Sequence, residues 1–323
     1  MQVLTFLTLF WFSFPTAALG SYLAEAEQLS AEGVQFSWSE VKSKSLKIIL
    51  QYQDSDGNWS RTNLGSGFLI SPDGLFVTAY HVMRYCLLGQ KDVNRFAESV
   101  DCSAAHPRVR YSAANGDRAF EIEILSHLSE AESTNGKNVH TPDEIIKQRD
   151  FVIGKLRTQP GTRFSYWQLP DFKPDTISLG DPRADFELQP LLPPKKVFIA
   201  GFPRDRDLEI ASGFLNLKDE NHRGYFAADY KLYAPGYLEK EGISPETRWG
   251  MRVENHMSGG AVVDRTGSLV GIVVNGNKNT AAILSIENIM ANFFSRTGRA
   301  GASPAVILTP TKTPLYLREN PPD

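Results

Sequence analysis

The chain has 323 residues, 41% of them hydrophobic and 22% charged, proportions that give a globular protein with a sizeable core and exclude a disordered chain. A formal net charge of -3 leaves no basic face broad enough for nucleic acid or an anionic membrane as the main partner. The function must therefore reside in a local site.

Residues 1–20, MQVLTFLTLFWFSFPTAALG, are an apolar run ending in small residues, and the first charge is Glu25. This is the pattern of a signal peptide cleaved before Ser21, with Ala18 and Gly20 as the small side chains, although no Lys or Arg precedes the run. An uncleaved membrane anchor is the alternative. No later segment is long and apolar enough to span a bilayer, so the expectation is an exported chain, periplasmic or secreted, with no stable span after processing.

Residues 21–42 suit a short helix and a lead-in segment. Over 43–156 the pattern changes to short strands, LKIILQYQ, GSGFLIS, GLFVTAYHV, FEIEILS and DFVIGKL, separated by Asp-Gly, Pro-Asp-Gly and Asn-Gly turns. Residues 157–195 are crowded with proline and lose hydrophobic periodicity, as a connection between two halves would. Strands resume over 196–296 with KKVFIAGF, FLNL, YFAADYKLYA, GAVVD and SLVGIVVNG, and AAILSIENIMANFFSR has the spacing of a closing helix. Residues 297–323 predict an extended tail. Many short strands without long helical periodicity imply an all-β barrel or sandwich.

Cys86 and Cys102 are the only cysteines and have neither CxxC nor histidine spacing for zinc, so no metal is expected. In an oxidising compartment they would close a short loop worth about 3 kcal/mol, with two separately buried thiols as the equal alternative.

Acyl transfer through a serine needs a hydroxyl on a tight turn, an imidazole to take its proton, and a buried carboxylate to hold the imidazole tautomer. His81 ends GLFVTAYHV, Asp150 opens DFVIGKL, and Ser258 lies in HMSGGAVVD, where Gly259 and Gly260 permit close backbone approach. The order His, Asp, Ser separates this arrangement from those of subtilisin and the α/β-hydrolases.

On these segments, together with VFIAGFP and MSGGAVVDRTGSLVGIVV, the sequence resembles the trypsin-like serine peptidases, particularly the bacterial exported branch, over residues 45 to 276. The resemblance implies two six-stranded antiparallel Greek-key β-barrels with a short N-terminal and a C-terminal helix. It also implies a serine endopeptidase acting on protein or peptide substrates without a cofactor; the oligomeric state is left open. Residues His256 and Ser258 would supply the oxyanion N–H groups. Asn275 and Gly276 would contact substrate backbone, and Arg252 would lie at the base of the specificity pocket, where it would favour acidic side chains.

Two positions depart from the family pattern. His256 stands where a glycine is usual, and a side chain there is able to turn the peptide away from the oxyanion. Met257 replaces the aspartate that pairs with a new N-terminus in members activated by proteolysis. A catalytically silent binding module with the same fold is the second hypothesis, and His256 is its sole sequence support. A quality-control peptidase with an attached peptide-recognition domain is discounted, because too few residues follow the second barrel.

Overall fold

The computed structural model describes residues 33–53, 56–83, 100–101, 109–127, 150–170, 188–204, 206–219, 224–228, 253–276 and 280–296. The leader, Cys86, Cys102, Arg252 and the tail lie outside these residues.

The chain enters through helix α1 (Trp38–Lys44), whose N-cap Ser37 accepts from the Glu40 N–H through Oγ at 3.2 Å and whose last turn carries Lys42 and Lys44. Helix α1 buries Trp38 and Val41, and it begins near the end of the segment expected to be helical. Seven strands follow: β1 (Ser45–Gln53), β2 (Trp59–Leu69), β3 (Leu75–Thr78), β4 (Val100–Asp101), β5 (Val109–Asn115), β6 (Arg118–His127) and β7 (Val152–Leu156). They form one curled sheet in the order β4-β6-β5-β1-β2-β3-β7, with β6 also pairing with β7. The short β4 adds an edge beside the six strands that run from β6 to β7.

The second half contains β8 (Leu188–Gly201), β9 (Glu209–Asp219), β10 (Gly224–Ala228), β11 (Ala261–Asp264), β12 (Leu269–Gly276) and β13 (Thr280–Ser285), closed into a barrel in the order β10-β13-β12-β11-β8-β9. Strands β10 and β11 are separated in the barrel by β13 and β12, a Greek-key order consistent with a trypsin-like double barrel. Strand β8 starts at Leu188, inside the proline-rich stretch. Its pairing with β9 shifts register between Pro190 and Lys195, so Pro193 and Pro194, which lack an N–H, occupy the unpaired interval. The apolar run from Thr280 is also split: Thr280–Ser285 is β13, and helix α2 (Ile286–Arg296) follows. The Ser285 Oγ accepts from the Asn288 N–H at 3.1 Å and so marks that change.

One hydrophobic cluster runs through both halves, from Ile48, Phe68, Phe76 and Phe151 to Phe198, Ala200, Leu284 and Ile289. Alternate residues of β8, Val197 and Ile199, join a second cluster with Val262, Val273 and Met257. The period-two alternation of β8 thus sends one set of side chains to each cluster.

The β11–β12 turn is organised by Asp264. Its Oδ1 accepts from the Thr266 N–H (2.9 Å), the Thr266 hydroxyl (2.6 Å) and the Ser268 N–H (3.0 Å), while Lys195 Nζ lies 2.8 Å from Oδ2. Burial acts to raise the Asp264 pKa, but Lys195, Thr266 and Ser268 together outweigh it and hold the carboxyl below its usual range. Because the folded-state value is depressed, this stabilisation is present above the unfolded value of about 3.9 and is lost as pH falls through the folded one. Asp264→Asn is expected to lower the unfolding free energy by about 1–3 kcal/mol at neutral pH. In urea titrations the gap from the parent should narrow as pH falls below about 4.

Candidate active site

Strands β3 and β7 are antiparallel, with Thr78 opposite Val152. The residues just after β3 therefore meet those just before β7. Residues 80–83 open a helical turn that carries His81, and Asp150 immediately precedes the buried Phe151. Asp150 is 1% exposed and uses both oxygens on one residue: Oδ1 accepts from the His81 N–H at 2.9 Å, and Oδ2 lies 2.6 Å from His81 Nδ1. A carboxylate only accepts, so it favours a proton on the Nδ1 that faces it.

Ser258 comes from the other barrel, in the turn that leads into β11. Its carbonyl accepts from the Ser66 N–H at 2.8 Å, the Gly259 N–H donates to Val273 O at 2.7 Å, and the Gly260 N–H donates to Met257 O at 2.9 Å. Gly259 has a φ of 83°, and a Cβ there would fall 2.2 Å from Ser66 O, 2.4 Å from Thr78 Oγ1 and 2.7 Å from Ala79 N. Thr78 and Ala79 lie just ahead of His81, so the serine turn rests on the backbone that presents the imidazole. Among the described residues Ser258 Oγ makes no hydrogen bond, so none joins it to His81.

His256 has a φ of 76°. Its carbonyl accepts from Ser66 Oγ at 2.8 Å, and its Nδ1 is buried without a partner. Neither the His256 N–H nor the Ser258 N–H has an acceptor among the described residues. Met257 is fully buried, and its N–H donates to Glu254 O at 3.1 Å. An apolar side chain therefore anchors the turn.

Asn275 and Gly276 are exposed at the end of β12, and the Gly276 N–H donates to Asn275 Oδ1 at 2.8 Å. Strand β12 is paired with β11 only as far as Ile272, which leaves the β11 side of Asn275 and Gly276 outside that ladder. Arg252 lies outside the described residues. Sequence reasoning missed Ser66 and Thr78. Thr78 Oγ1 donates to Ser66 O at 2.6 Å, while Ser66 holds the carbonyls of His256 and Ser258. The small residues of GSG and VTA were the available signal.

The model of the trypsin-like peptidase domain matches residues 65–272, more than half of the chain, and the chain belongs to that family. Its members are peptidases, which act on protein or peptide substrates. Among solved structures the chain is similar to the active form of the Rv3671c protease from M. tuberculosis, at 15% identity over 87% of this chain and 86% of that one, with a TM-score of 0.41. It is also similar to the HtrA-type protease AlgW with decapeptide (12% identity, 81% and 66% covered, TM-score 0.45) and to Deg5 (14%, 82% and 92%, 0.45). No curated protein matches the sequence.

The crowding at Gly259 separates two kinds of glycine. Gly116 also has a positive φ, 59°, but nothing lies within 4 Å of a Cβ there. Gly116→Ala should therefore cost about 1 kcal/mol in urea unfolding, and Gly259→Ala about 3 kcal/mol or more, because the backbone atoms it meets cannot move aside.

Proposed function

We propose that the protein is an exported serine endopeptidase in which His81, Asp150 and Ser258 act together. The observation that carries this reading is the double hydrogen bond from His81 to the buried Asp150, made where the Ser258 turn packs against the histidine's own segment. The Ser258 hydroxyl attacks the scissile carbonyl as its proton passes to His81 Nε2. His81 then returns that proton to the leaving amine, and a water repeats the sequence to hydrolyse the acyl-enzyme.

Asp150 holds the imidazole in the Nε2-basic tautomer and stabilises the imidazolium. The N–H groups of His256 and Ser258, both without acceptors among the described residues, receive the charge that develops on the carbonyl oxygen. Substrate backbone pairs along the end of β12 at Asn275 and Gly276, an edge-strand mode that recognises main chain before side chain. The apolar leader supports export. The binding-module alternative is weaker, because among the described residues neither N–H that a silent member would have lost has an acceptor.

Fluorophosphonate treatment followed by intact-mass measurement is expected to give one adduct on the parent and none on Ser258→Ala. An unmodified, folded parent would count decisively against an activated serine. Asp150→Asn should lower kcat about 10⁴-fold on any peptide the parent cleaves, since the amide would accept the wrong imidazole tautomer. An equal loss in fold stability and no specific loss of kcat would instead assign Asp150 a structural role.

A further inference from the structure

A peptide plane is rigid and trans, so its N–H and C=O point in opposite directions. The His256 N–H shares a plane with the Asn255 carbonyl, which accepts from the Arg204 N–H at 3.1 Å. Arg204 has a φ of 51° and His256 one of 76°, and among the described residues they are the two non-glycine residues in the left-handed region. One hydrogen bond therefore links the segments of both strained residues, and it sets which way the His256 N–H faces.

The Arg204 segment is held from the first barrel. Asn63 is 3% exposed, and its Nδ2 donates to Phe202 O at 2.8 Å and to Arg204 O, while its Oδ1 accepts from the Gly65 N–H at 3.2 Å. Ser66 Oγ accepts from the Phe202 N–H at 2.8 Å, and the Arg206 guanidinium pairs with the Glu254 carboxylate beside the turn. If the Asn255–His256 plane flips, φ of His256 leaves the left-handed region and the N–H turns away from the oxyanion. For a glycine the two orientations are nearly equal. For a histidine the left-handed one is disfavoured by roughly five- to thirty-fold in population.

We propose that Asn63 is a positioning residue for the oxyanion-binding N–H of His256. By holding Phe202 and Arg204 it keeps the Arg204 N–H on the Asn255 carbonyl, against the orientation that a histidine backbone prefers. The proposal rests on the peptidase reading for its kinetic consequence, while the orientation of the peptide plane is tested separately.

Asn63→Asp keeps the side-chain size and the acceptor for the Gly65 N–H but removes the amide donor. In its crystal structure the Asn255–His256 plane is expected to be flipped, with φ of His256 negative. Loss of one oxyanion donor should lower kcat about 10²–10³-fold with little change in KM. Adding His256→Gly should raise kcat by a larger factor in the Asn63→Asp background than in the parent, a coupling that a purely structural asparagine would not produce. If thermal melting shows that Asn63→Asp does not fold, Asn63→Ala takes its place in the same measurements. An unflipped plane, or His256→Gly acting equally in both backgrounds, overturns the proposal. A parent that takes no fluorophosphonate overturns the peptidase reading alone, and the plane in the variant crystal then decides the role of Asn63.

Discussion

The contact on which the rest of the molecule turns is a backbone approach with no room for a Cβ, where Gly259 of the second barrel meets Ser66, Thr78 and Ala79 of the first. His81 and Asp150 belong to the first barrel and Ser258 to the second, so the approach sets the serine turn against the segment that leads to His81. Ser66 ties it together: its N–H donates to the Ser258 carbonyl, and its hydroxyl donates to the His256 carbonyl and accepts from the Phe202 N–H. The continuous core that runs from Phe68 to Ile289 holds the halves in register around that contact.

A buried carboxylate is tolerated only where its lone pairs are satisfied. Asp150 meets this condition through the main chain and the side chain of the same residue, and this fixes the position of the imidazole. The pairing of β3 with β7 is what makes such economy possible, because it delivers both residues to the same end of two neighbouring strands.

The turn before Ser258 replaces two features usual in the family. Met257 anchors it by burial, among Val197, Ile199, Val262 and Val273, where relatives activated by proteolysis use an ion pair. Packing of this kind is present as soon as the chain folds and needs no new N-terminus. His256, in place of a glycine, adds backbone strain that the Arg204 N–H and the Ser66 hydroxyl counter from either side of the residue. Strain at a functional turn persists only where the surroundings over-determine it.

Chemistry that depends on residue type was legible in the sequence. The strands around His81, Asp150 and Ser258 are dense in β-branched and aromatic residues, and only imidazole, carboxylate and hydroxyl offer this set of roles at such positions. Strand β5, VRYSAAN, was missed because it is small and polar; it is made a strand by pairing with β1 and β6. Strand β13 was read as helix because the spacing of AAILSIENIM fits both periods, and pairing with β10 and β12 decides between them. The sequence by itself determined the family, the barrel architecture and the reactive side chains it offers. Only the tertiary structure decided which backbone groups meet around the Ser258 turn and what holds them there. Every residue except proline has an N–H to donate, so hydrogen bonds such as Arg204 to Asn255 leave no mark on residue identity, and Asn63 reaches Phe202 across 139 positions of sequence.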